Sequence, residues 1–225
     1  MKEVNSYGWK AVIGSSIGYA MDGFDLLILG FMLTLISGDL GLTTGQAGSL
    51  VTWTLVGAVI GGFIFGTLSD KFGRVRVLTW TIVLFAVFTG LCAFAQGYWD
   101  LLIYRTIAGI GLGGEFGIGM ALAAEAWPAQ HRAKATSYVA IGWQLGVLAA
   151  ALLTPVLLPY IGWRGMFMVG IIPAFVAWFF RAKLHEPEIF VQSKDTKEHS
   201  HTNSFKLLVK DVRTTKTSIG VAILT

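Results

Sequence analysis

Long apolar blocks alternate with short polar breaks along this chain. The pattern predicts helices at about 10–36, 46–69, 76–96, 99–125, 135–159 and 163–181. Each is long enough to cross a hydrocarbon core of about 30 Å at about 1.5 Å per residue. The breaks are rich in glycine or carry proline: GDLGLTTG, SDKFGRVR, QGYWD, PAQHRAK and PYIGW. From about 185 to 215 the chain turns polar and charged, which predicts a linker. Within it SFKLLVKDV reads either as a short amphipathic helix on the membrane surface or as plain solvated chain. The closing TSIGVAILT opens another apolar run, too short to span a bilayer. The expected architecture is an all-α membrane protein. It has a six-helix transmembrane bundle over 1–184, a cytoplasmic linker over 185–215 and the truncated start of a seventh helix at 216–225.

Composition supports this reading. Of 225 residues, 54% are hydrophobic and 13% charged, against roughly a quarter charged in a soluble domain. The net charge of +4 does not point to nucleic acid, because the basic residues gather in a few short loops. Lys2 and Lys10 lie at the N-terminus, Lys71, Arg74 and Arg76 after the second helix, Arg132 and Lys134 after the fourth. More follow Arg181, whereas the loops after the first and third helices hold none and the fifth break only Arg164. The positive-inside rule then places the N-terminus and the basic loops of this multi-pass protein in the cytoplasm. Trp9, Trp99, Trp127 and Trp163 fall at predicted span ends, where aromatic belts sit. MKEVNSYGWK does not form a cleavable signal, since the apolar stretch after it is too long. Cys92 is the lone cysteine, and His131, His185, His199 and His201 lie outside the spans. No metal, cofactor or enzyme chemistry is expected from that set.

Glycines recur four apart: Gly14 and Gly18, Gly57 and Gly61, Gly62 and Gly66, Gly109, Gly113 and Gly117, Gly142 and Gly146. In lipid, such stripes let helix backbones approach closely. The first, second, fourth and fifth helices are therefore expected to pack tightly, and the third and sixth to face lipid more. GIGLGG at 109–114 matches a dinucleotide fingerprint. That motif needs a strand before it and a βαβ unit around it, and here it lies inside an apolar span.

Four ionisable residues fall within spans: Asp22, Asp25, Arg105 and Glu115. Each costs roughly 2.5–3.5 kcal/mol at the bilayer centre on insertion scales, so such residues mark a functional site or a structural ion pair. Asp22 and Asp25 are near mid-membrane and share a helix face. Glu115 is near mid-depth and Arg105 about 15 Å further out, too far from Glu115 to pair with it. The expectation is a cavity with carboxylates at its centre and the guanidinium towards the outer side. A carboxylate that alternates between wet and dry, or paired and unpaired, can load and release a proton. Asp22, Asp25 and Glu115 are thus proton-coupling candidates. Arg105 is a candidate for a charge pair or for a substrate carboxylate, which suits its planar fork. Gln144, Tyr19 and Trp143 are further candidates for the cavity, with core packing as the alternative for both aromatics.

GTLSDKFGRVRVL at 66–78 resembles the signature loop of the major facilitator superfamily, G-x-x-x-D-(R/K)-x-G-(R/K)-x-(R/K). Gly66, Asp70, Lys71, Gly73, Arg74 and Arg76 match it. Arg105, Gly109 and Gly111 resemble a second signature, and Glu125, Pro128 and Arg132 a third, E-x-x-P-x-x-x-R-G, with Ala133 in place of the last glycine. GWRGMF at 162–167 is also similar to the family. The resemblance implies the N-terminal half of a twelve-helix fold. It also makes the signature loop, with Glu125 and Arg132, a conformational latch to a second half. MDGFDLLILGF, GLTTGQAGSL, GLGGEFG and EAWP look most like the sialic acid:proton symporter group, which includes lactate and pyruvate carriers. The aromatic acid:proton symporters are similar through DG-(F/Y)-D. The implied activity is symport of a small organic anion with protons by alternating access, without cofactor or nucleic acid. The alternatives are a truncated half that transports nothing, either a remnant or the assembly partner of a separate second half, and a sugar or aromatic-acid carrier.

Overall fold

The computed structural model describes residues 6–181. The linker at 185–215 and the helix start at 216–225 lie outside the described residues. Those described form α1 (Ser6–Leu40), α2 (Thr44–Phe72), α3 (Arg74–Cys92), α4 (Tyr98–Glu125), a 3-10 turn at Ala129–His131 and α5 (Arg132–Arg181). Among the described residues five helical stretches are long and apolar enough to cross a membrane.

The breaks are shorter than the sequence suggests. Gly38 and Asp39 still belong to α1. The start of α2 is fixed by a capping box, in which Thr43 Oγ1 accepts from Gln46 N–H and Gln46 Oε1 from Thr43 N–H. A single residue, Gly73, separates α2 from α3 at φ 110° and ψ 151°, a backbone conformation closed to most side chains. Gly162 interrupts α5 in the same way at φ 63° and ψ 179°.

That interruption folds α5 into two arms, 132–161 and 163–181. Gly142 and Gly146 lie against the carbonyls of Ser16 and Ala20, so the first arm runs parallel to α1. Trp163 reaches Asp39 and Gly170 lies beside Ile28, so the second arm runs back the other way.

The glycine stripes do what their spacing predicts in two helix pairs. A Cβ at Gly57 or Gly61 of α2 would meet the backbone of Thr106 or Ile110 of α4. A Cβ at Gly109 or Gly113 of α4 would meet that of Thr54 or Ala58 of α2. Gly23 of α1 is likewise pressed on Trp143 O of α5, with only 2.6 Å left for a Cβ. The glycines of GIGLGG are helix-packing residues in α4, and Gly111 faces α3 at Thr81 O and Phe85 N. Gly66 and Gly117 face open space. The weaker stripe of α3 does not make it the more exposed helix. Half of its most apolar window is buried, against 22% for α2, because Val77, Leu78, Ile82 and Phe85 fill its contacts with side chains. Gly113→Val should lower the thermal unfolding midpoint in detergent, overpacking costing about 1–3 kcal/mol. Gly30→Val, with nothing within 4 Å, should leave the midpoint unchanged; equal losses would contradict this packing.

Candidate functional site

The centre of α1 is closed over. Met21, Asp22, Gly23, Phe24 and Asp25 are all buried, and Trp143 of α5 presses on Gly23. Arg105 of α4 enters this region and grips Asp25 with both ends of its fork, Nη1 to Oδ1 at 3.0 Å and Nη2 to Oδ2 at 2.7 Å. The two side chains are 0% and 1% exposed. Phe167, on the second arm of α5, places its ring 5.8 Å from the Arg105 guanidinium carbon. The Cys92 thiol of α3 donates to Phe88 O at 3.2 Å and lies within interaction range of the same guanidinium. Four elements therefore converge on one ion pair. This corrects the expectation of a guanidinium standing apart from central carboxylates: Asp25 is level with Arg105 and bound to it. Asp22, Asp25, Arg105 and Glu115 are enclosed, at no more than 1% exposure.

A second polar layer lies nearer the Gly73 end. Tyr19 donates to Phe116 O at 2.7 Å and lies within interaction range of the carboxyl groups of Asp22 and Glu115. Thr81 of α3 donates to Glu115 Oε2 at a long 3.5 Å. Asp22, Tyr19 and Glu115 thus group together, while Asp25 belongs with Arg105. Trp143 packs on Phe116, ring centroids 5.3 Å apart, as core packing would have it. Gln144 is exposed on α5, outside both layers.

The signature loop forms a hub at that end. Arg74 pairs with Asp70 at 2.7 Å and with Glu125 at 3.2 Å, and donates to Ser69 Oγ at 2.6 Å. One guanidinium therefore ties the end of α2, the start of α3 and the end of α4. Lys71 lies over the Phe72 ring, and Arg76 and Arg132 are exposed.

The opposite end carries a cluster that the span-by-span reading passed over. Arg164 contacts Asp39 Oδ2 at 2.5 Å and Ala95 O at 3.2 Å. Trp163 Nε1 donates to the same Asp39 oxygen at 3.1 Å. The sequence signal was one acid in GDLG and one base in GWRG, within loops otherwise nearly free of charge. The bond from Arg164, then that from Trp163, holds the Asp39 carboxyl below its usual value of 3.8. A lowered carboxyl stabilises the fold above the ordinary carboxylate range and ceases to as pH falls through the lowered value. Asp39→Asn should therefore shift the unfolding midpoint by a constant amount from pH 5 to 8. The difference should vanish in stronger acid; a shift that changes between pH 5 and 8 would contradict the pairing.

A bundle of long apolar helices closed around an arginine–carboxylate pair defines the class, a multi-pass membrane protein. The family model of the Major Facilitator Superfamily matches residues 15–225, and the chain belongs to that superfamily. A Haemophilus influenzae protein carrying the provisional name of metabolite transport protein is 75% identical over 228 residues, 99% of this chain and 56% of the relative. The sialic acid transporter NanX of Escherichia coli is 33% identical over 193 residues, 86% of this chain and 48% of that one. Other matched relatives are named for methylmuconolactone, muconate, niacin and benzoate. Among solved structures, the E. coli proton:xylose symporter XylE superposes with a TM-score of 0.76 at 24% identity, covering 87% of this chain and 48% of XylE. The chain spans about half the length of the curated relatives it matches. They are named as transporters rather than enzymes. Among the described residues no group of three or more His, Cys, Asp or Glu could hold a metal ion.

Proposed function

We propose that this chain supplies the N-terminal half of a proton-coupled carrier of small organic anions that works by alternating access. The bidentate, fully buried Asp25–Arg105 pair carries the reading. Arg105 stays charged at any working pH, and a buried charge must keep a partner. If Asp25 takes a proton, the pair dissolves and Arg105 requires another anion. A substrate carboxylate fits the same fork. Proton binding and anion binding then favour one another, as symport demands.

In this reading α5 crosses twice, giving six crossings, with the N-terminus cytoplasmic in an inner membrane and a seventh helix beginning near 216. Asp22 and Glu115 receive or pass on the proton, and Tyr19 and Gln144 contribute to substrate binding once the bundle opens. The Arg74 hub, with Gly66, Asp70, Lys71, Gly73, Arg76, Glu125 and Arg132, serves as the latch to a second six-helix half. That half comes from the same polypeptide or from a separate chain. Sialic acid is one candidate substrate beside other small carboxylates. The test is uptake of labelled sialic, lactic, muconic and benzoic acids into proteoliposomes holding the full-length transporter. Inward acid gradients should accumulate at least one of them; uptake of all four indifferent to the gradient would overturn the reading.

A further inference from the structure

A groove runs along the outside of the bundle between α1 and α5. Its part nearer the Gly73 end is lined by Trp9, Ile13, Ile17, Tyr138, Ile141 and Leu145 and encloses about 310 Å³. Past Ile17, Ala20 and Leu145 it continues into a stretch of about 350 Å³ walled by Phe24, Ala149, Leu153, Val169 and Ile172. From Trp9 to Phe24 the groove follows α1 for about 22 Å. That exceeds the roughly 15 Å depth of one leaflet's hydrocarbon. The floor is apolar apart from Ser16, whose hydroxyl donates to Tyr138 O at 3.1 Å. The walls stand open, with Ile13, Tyr138, Ile141, Leu145 and Leu153 between 42% and 58% exposed.

The chemistry changes at one end only. Trp9 packs on Trp127 and Tyr138 at centroid distances of 5.1 and 5.8 Å, and Trp127 Nε1 is anchored on Gly8 O at 3.0 Å. Two exposed lysines belong to this end, Lys10 next to Trp9 on α1 and Lys134 in the first turn of α5. Lys10 precedes Ile13 by three residues and Lys134 precedes Tyr138 by four, so each continues one wall by one helical turn. An apolar slot ending in aromatic rings and two ammonium groups fits an anion with an apolar tail. It does not fit another helix, whose surface would leave both charges unanswered.

We infer that this groove binds one anionic phospholipid from the leaflet on the basic side. An acyl chain lies along α1 and α5, Trp9 and Tyr138 sit at the level of the ester groups, and Lys10 and Lys134 hold the phosphate. Basic pockets between helices on the cytoplasmic side are suited to anionic headgroups, and each lysine there strengthens binding about fivefold.

The test is native mass spectrometry of the full-length protein in mild detergent, with added phosphatidylglycerol or phosphatidylcholine. One phosphatidylglycerol should be retained preferentially. Lys10→Gln with Lys134→Gln should reduce its retention about tenfold or more, and Lys10→Arg with Lys134→Arg should preserve it. Leu145→Trp, which fills the slot, should reduce retention of both lipids, while Val59→Trp on the exposed face of α2 should not. Equal retention of the two lipids by the wild type, or unchanged retention in the Gln pair or in Leu145→Trp, would overturn the proposal. So would protection of an Ile141→Cys thiol from a lipid-soluble maleimide by the second half of the transporter, which would show protein in the groove.

Discussion

Asp25→Asn should abolish uphill, proton-driven uptake while leaving the transporter in the membrane and able to exchange substrate. Asparagine has nearly the shape of the carboxyl but never carries its charge, so it imitates the protonated state permanently. Arg105 would lose the partner it holds at 2.7 and 3.0 Å and would always be open to a substrate anion. Binding and exchange survive such a change, whereas coupling to the gradient does not. Per coupled proton, one pH unit supports roughly tenfold accumulation, and the variant should show none of it. Counterflow of labelled substrate against an unlabelled excess separates the two activities. Full accumulation by Asp25→Asn would remove Asp25 from the coupling step.

Arg105→Met should be the most damaging single change to stability, because it strands a carboxylate that is 1% exposed. Breaking a buried pair from one side costs about 3–5 kcal/mol. Removing both charges costs far less, so Asp25→Asn combined with Arg105→Met should recover most of that loss. The same exchange would leave Phe167 and Cys92 packed against an apolar chain of similar length. Thermal or denaturant unfolding of the four proteins in one detergent gives the coupling directly. Losses that simply add would mean that the two side chains do not hold each other in the folded protein.

The sequence made much of this legible, for reasons that differ between elements. Blocks of apolar residues revealed the helices because lipid demands continuous runs. Gly73 and Gly162 could be foreseen as breaks because only glycine accepts their backbone angles. Spacing alone marked the first, second, fourth and fifth helices as tightly packed, while the pairing of α2 with α4 and of α1 with α5 came from the structure. What spacing could not supply was the partner of a charge. Asp22 and Asp25 look alike along α1, yet one groups with Tyr19 and Glu115 and the other with Arg105. That division depends on how far α4 slides along α1, which no local pattern records. The Asp39–Arg164 contact, between residues far apart in sequence, was hidden for the same reason. The exposure of α2 relative to α3 was also out of reach, because glycines report close approach and not the number of neighbours.

The coupling itself can be measured without a membrane. When the substrate anion is added to the purified full-length transporter in weakly buffered detergent solution, Arg105 should exchange Asp25 for the anion and Asp25 should take a proton. The solution should turn more alkaline by about one proton per anion bound, and Asp25→Asn should bind the anion with no proton uptake. Wild-type binding without proton uptake, or undiminished uptake by Asp25→Asn, would contradict the account.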